Sequence, residues 1–202
     1  MNDIQRSQHF IAERPAEGSR RLWTADELEH MVREGIVNEA ERIELIAGEI
    51  VHKSAKGNRH EIARNELTLF WADRRAGRYK FAEENPLRLS KQNQPEPDIL
   101  LFPASQNVAQ VTAESVLLVV EVSDSSLSYD LKIKAPVYAS FGVREYWVID
   151  PKTLATTVHR GLGAAGYAEV MEIAASELLT PHLAPELAVR LAGLGIAPEA
   201  GS

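Results

Sequence analysis

A chain of 202 residues with 45% hydrophobic and 25% charged side chains can bury one sizeable core, and no apolar run approaches the roughly 20 residues that a bilayer span requires. Twenty-nine acidic against 22 basic residues leave a net charge of −7, which argues against strong, sequence-independent affinity for polyanions, so any nucleic-acid surface has to be local. The absence of cysteine excludes disulfides, cysteine-ligated zinc and thiol catalysis. The first ten residues have no basic stretch followed by an apolar one, so a secretory signal is not indicated and a cytoplasmic location is the expectation.

Residues 1–20, with Pro15 and Gly18 and no apolar period, read as a flexible arm ahead of a domain over 21–185. Thr24 and Glu27 have capping-box spacing, and Leu28, Met31 and Val32 recur at helical intervals, which predicts a helix over 24–34. Two strands, 42–46 and 49–53, flank Ala47–Gly48, a hairpin signal; Glu44 and Glu49 lie on it. Asn58 as cap, Glu61 three residues later and the pattern Ile62, Leu67, Leu69, Phe70 predict a long helix to about residue 76. Short strands follow at 79–83 and 87–89.

Asp98 opens the apolar run 99–102, preceded by Pro95 and Pro97, which lack the amide donors an interior ladder needs. The unbroken run 117–120 is too short for a typical helix and reads as a central strand covered on both faces. It ends in Glu121, followed by the loop residues Ser123, Asp124, Ser125 and Ser126. That puts a carboxylate at the carboxyl end of a strand, where open α/β sheets tend to bind ligands. A helix over 129–141 is capped by Ser128 and closed by Gly142, and Pro136 should bend it. A strand at 143–150 and a hairpin over 155–160 and 167–173 complete the pattern. The tail, 186–202, is too rich in Ala and Gly to place. Gly161, Gly163 and Gly166 match the dinucleotide-binding spacing, but a strand follows them where a helix is required, so they read as a hairpin loop.

Asp98 and Glu121 suit magnesium, a hard cation that takes one or two carboxylates and keeps several waters. A metal there could polarise a phosphoryl oxygen while a lysine neutralises developing charge. Strand-end acids also commonly serve turns or solvent, and by spacing alone that reading is the stronger one. Three basic groups, Arg20–Arg21, Lys53 with Lys56 and Arg59, and Arg74 with Arg75 and Arg78, are most simply solvated charge. His60 reads as a capping or surface residue, His52 more weakly still. Trp147, Tyr146 and Val148 read as buried strand residues.

The strings IELIAGEIV at 43–51, PEPDILLF at 95–102, VVEVS at 119–123, DLKIKAPVY at 130–138 and GVREYWVIDP at 142–151 resemble the Uma-two family, related to restriction endonucleases with the PD-(D/E)XK core. The resemblance covers about residues 23–160. It implies an α/β fold with a central mixed sheet flanked by helices, magnesium (or manganese) as cofactor, and DNA phosphodiester hydrolysis. It makes Asp98 and Glu121 the motif acids and metal ligands, Glu44 an additional acid and Lys134 the lysine. The position two after Glu121 is Ser123 where the wider superfamily has lysine; Lys134 replaces it from the next helix, with Lys132 the alternative. Asp130, Lys134 and Tyr138 share one helix face, although Asp130 and Lys134 could equally be a surface ion pair. A catalytically silent nucleic-acid- or protein-binding module on the same fold is the second reading, with which the acidic balance is compatible. A glycoside hydrolase using two acids is the third, disfavoured by Lys134 and the resemblance. Oligomeric state is unreadable, with a homodimer left open.

Overall fold

The computed structural model describes residues 20–38 and 40–196, so the arm expected over residues 1–20 lies, Arg20 apart, outside the described residues. The chain divides into two compact units, one of Met1–Ala55 with Pro86–Glu96 and one of Lys56–Asn85 with Pro97–Ser202.

In the first unit, helix α1 (Ala25–Arg33) starts from the expected capping box of Thr24 and Glu27. Strands β1 (Ile43–Ile46) and β2 (Glu49–His52) form the expected hairpin, Ile46 opposite Glu49. Its two turn residues both have positive φ, 52° at Ala47 and 79° at Gly48, the twist that suits two antiparallel strands. Position 48 also needs glycine for space: a Cβ there would sit 2.8 Å from that of Leu22. Ala25 and Leu28 bury their side chains against Leu45. The strand expected at 87–89 does not form. That segment folds back locally instead, Leu87 N–H donating to Pro95 O and Leu89 N–H to Asn93 O, so its amides are satisfied within a turn rather than a ladder.

The second unit is a six-stranded sheet in the order β3 (Tyr79–Glu83), β4 (Ile99–Pro103), β5 (Leu118–Val122), β6 (Glu145–Ile149), β7 (Thr156–Gly163) and β8 (Gly166–Ile173). Only β5 and β6 run parallel, which makes the sheet mixed. The parallel pair requires a crossover, and the helix between them supplies it. The three runs read as buried strands are therefore neighbours in one sheet, as expected.

Helix α2 (Asn58–Arg74) is capped by Gly57 rather than Asn58, which is its first helical residue. Ala63, Leu67 and Trp71 pack on Ile99, Leu101, Leu118, Val120 and Trp147. Helix α3 is built of Leu127–Tyr129, a π turn at Asp130–Lys134 and Ala135–Ser140. The irregularity expected at Pro136 takes this form. Proline has no N–H and its ring would crowd the carbonyl four residues back; the helix widens just before it, and Ala135 N–H bonds to Asp130 O, five residues earlier. Adjacent residues of a strand face opposite sides. Trp147 meets Trp71 of α2 at 6.2 Å and Tyr146 meets Tyr138 of α3 at 4.8 Å between ring centroids, so the helices cover opposite faces of the sheet.

Gly163 pairs with Gly166 at the tip of the β7–β8 hairpin, the expected fate of the three-glycine motif. The segment after Pro185 is part of the core: Leu187, Val189, Leu191 and Ile196 are buried in it, and Trp71 Nε1 donates to Leu187 O at 2.9 Å. Its Ala- and Gly-rich composition hid this because its apolar residues have no helical or strand period.

Candidate active site

Strand register brings Asp98 and Glu121 together. Ile99 stands opposite Val120 in the β4–β5 ladder. Asp98 and Glu121 are each one residue further out, and side chains directly opposed in an antiparallel pair have Cβ atoms about 5 Å apart. The Val122 N–H donates to Asp98 Oδ2 at 2.8 Å, which independently puts the Asp98 carboxylate against the end of β5. The two carboxylates are 2% and 3% exposed.

Lys134 comes to Glu121 from the π turn of α3. Its Nζ lies 2.9 Å from Glu121 Oε1 and 3.5 Å from Asp130 Oδ1, and the residue is 3% exposed. The alternative of a solvated Asp130–Lys134 pair therefore does not hold: the pair is buried and reaches the strand-end glutamate. Ser123, two residues after Glu121, donates its hydroxyl to Asp130 Oδ2 at 2.6 Å. Ser123 thus anchors the same aspartate that Lys134 faces. The Tyr138 hydroxyl also approaches Glu121 Oε1, at 3.5 Å. Lys132 is exposed. Tyr146 donates its hydroxyl to Asp130 O at 3.4 Å; burial first, then the Asp130 and Glu121 carboxylates, push its phenol well above the ordinary range, so it stays neutral.

Two further residues meet Asp98. His60, in the first turn of α2, has Nε2 2.9 Å from Asp98 Oδ2. Lys56 has Nζ 3.4 Å from Asp98 Oδ1 and also pairs with Glu84 and Glu61. Arg64 joins the same acids, 2.6 Å from Glu61 and paired with Glu84. By sequence alone His60 reads as a capping or surface residue, with substrate contact the weaker alternative, and Lys56 as solvated charge. A signal existed for His60: residues 60, 63, 64, 67 and 71 form the buried stripe of α2. The apolar pattern obscured it, because Ile62 and Leu69 are exposed. Trp147, Tyr146 and Val148 are buried strand residues, as expected.

Glu44 belongs to the first unit, where it is buried on β1 and its Oε2 accepts the Glu96 N–H at 3.3 Å. Glu49 on β2 is partly exposed and pairs with Arg20 at 3.5 Å; His52 is exposed.

Two buried carboxylates with a lysine beside them are a hard, oxygen-only donor set, which fits magnesium completed by water. Among the described residues no group of three or more histidine, aspartate or glutamate side chains is placed to hold a metal, so a closed, fully protein-ligated site is not what this arrangement offers.

A family model described as Uma2, "Putative restriction endonuclease", matches residues 25–192. The chain belongs to the Uma2 family. Uma2 membership and the mixed sheet point to a nuclease-like hydrolytic function in general. The fold is shared with a crystal structure of a "putative nuclease belonging to DUF820" from Anabaena variabilis ATCC 29413, with a TM-score of 0.67 over 85% of this chain and 96% of that one, at 19% identity. No curated protein matches this Uma2 chain significantly. No helix among its described residues is long and apolar enough to cross a membrane.

Proposed function

We propose that the chain is a metal-dependent endonuclease that hydrolyses DNA phosphodiester bonds, with Asp98 and Glu121 holding magnesium or manganese and Lys134 assisting. The observation that carries this reading is the buried Lys134–Glu121 contact at 2.9 Å beside Asp98. It supports the acid, acid and lysine set that the resemblance implies, with Lys134 in the role of the lysine and Ser123 two residues after Glu121. When bound, the cation would supply Lewis-acid polarisation of the phosphate and of the attacking water.

The chain's own residues do the rest. Asp98 and Glu121 present negative oxygens at one end of the sheet, where strand hydrogen bonds hold them to their positions. Lys134 offsets the charge of Glu121 and Asp130, and its ammonium can donate to a phosphate oxygen as water adds to phosphorus and the bond to the leaving sugar oxygen breaks. Tyr138 and Ser123 hold Glu121 and Asp130 in register with it. Glu44 keeps the role of additional acid that the resemblance implies, which Glu44→Gln tests. The acidic balance of −7 is also compatible with the second reading, a catalytically silent binding module. Plasmid cleavage separates the two: the nuclease nicks or linearises DNA only when magnesium or manganese is added and loses this in Asp98→Ala. Cleavage retained in that variant, or none in wild type with either metal, sinks the proposal.

A further inference from the structure

His60 is 7% exposed, and its Nε2 lies 2.9 Å from Asp98 Oδ2. A carboxylate in its ionised form has only lone pairs to offer, and in that form the contact is a hydrogen bond from the Nε2–H tautomer of the imidazole. The same oxygen accepts the Val122 N–H at 2.8 Å. These two donors come from different elements, the first turn of α2 and the end of β5. Together they fix the orientation of the carboxylate, which one donor alone would leave free to rotate. Asp98 Oδ1 faces the Lys56 ammonium at 3.4 Å, a longer contact made by a side chain that precedes α2. Position 60 also lies on the buried stripe of α2, where a polar ring is costly unless it is bonded. An apolar residue would serve that stripe equally well if packing were its only purpose.

We infer that His60 is a positioning residue for Asp98: it clamps Oδ2 against the end of β5 and so presents Oδ1 to a divalent cation. The inference rests on the metal-dependent reading proposed above and adds a residue to it. Partners that hold a metal-binding carboxylate from behind typically contribute about 10- to 100-fold in metal affinity or activity.

The test compares wild type, His60→Gln, which keeps a donor at the reach of Nε2, and His60→Leu, which keeps apolar bulk and removes the donor. Manganese is titrated into each by calorimetry, kcat and KM are measured on DNA, and the Val122 amide resonance reports the clamp. His60→Leu is expected to weaken manganese binding about 10- to 100-fold, shift the Val122 resonance and lower kcat with KM for DNA near wild type, while His60→Gln restores most of each. Should the leucine variant fail to fold, His60→Ala takes its place. Wild-type manganese affinity and kcat in the donor-less variant overturn the clamp and leave the metal reading standing. Equal losses in His60→Gln and His60→Leu also overturn it, because the donor is then not what matters. Absence of manganese binding by the wild type overturns the metal reading and the clamp together.

Discussion

Glu121 and Glu145 are buried glutamates on neighbouring parallel strands, at opposite ends of them and in different company. Glu145, at the start of β6, accepts from Trp147 Nε1 at 2.9 Å and from His182 N–H at 2.7 Å, and pairs with Arg160 at 3.2 Å. Those donors belong to the same strand, to the returning C-terminal segment and to the adjacent strand β7, so the carboxylate ties three parts of the fold together. Glu121, near the end of β5, is served by Lys134 and Tyr138 from the crossover helix and has Asp98 beside it. Burial of a charge therefore does not distinguish a site from a tie. What distinguishes them is that one carboxylate stands alone among its donors, while the other is grouped with a second acid, their repulsion offset by the Lys134 and Lys56 ammonium groups.

The sharpest way to break this contrast is to neutralise the acids. Glu121→Gln keeps shape, and Asp98→Ala removes the second acid; each is expected to reduce metal-dependent DNA cleavage to background while circular dichroism stays native. Lys134→Met comes next: it keeps the stem and removes the charge, and turnover should fall by about 100- to 1,000-fold with manganese affinity little changed. Lys132→Met, at an exposed position, should leave turnover near wild type. Equal effects of the two lysine changes would sink the assignment of Lys134.

Glu145→Ala should behave in the opposite sense. It strands Arg160, the buried Trp147 N–H and the part-buried His182 N–H, so urea unfolding should show a loss of about 3 kcal/mol, with cleavage per folded molecule unchanged. A fall in turnover without a fall in stability would dissolve the distinction between tie and site.

The smallest effect concerns His159, whose ring stands between Tyr146 and Tyr167 at 5.4 and 5.6 Å. Burial lowers its pKa below the ordinary 6.5. The unfolded chain then takes up the proton first as pH falls, so the folded state loses stability below about pH 6.5 and reaches its full stability above it. Replacing it by phenylalanine should flatten that part of the stability profile, measured by urea unfolding at pH 5.5 and 7.5. An unchanged slope would show that other groups set it.

The Asp130, Lys134, Tyr138 spacing was legible as one helix face, and the structure adds that this face turns inward, onto Glu121. Nothing in the local sequence states the direction, since an i, i+4 ion pair serves equally on a surface. His60 and Lys56 were harder to see, because a histidine in the first helical turn and a lysine before it have the composition of an exposed terminus. Only the packing of α2 on the sheet shows that they face Asp98. The strand expected at 87–89 failed for a related reason: its residues suit a ladder, but residues 93–95 of the same unit satisfy its amides first.

By itself the sequence determined the strands of the sheet's centre, the two helices that cover it, the turn at Ala47–Gly48 and the presence of acids at strand ends. Those features follow from short-range physics: apolar runs, caps, positive-φ turns and the chemistry of proline. Tertiary structure alone decided that Asp98 lies beside Glu121, that the π turn delivers Lys134 to it, and that the irregular segment 187–196 completes the core. Each of these depends on register or packing between residues distant in the chain, and a change of one residue in register would turn the same side chains to the opposite face.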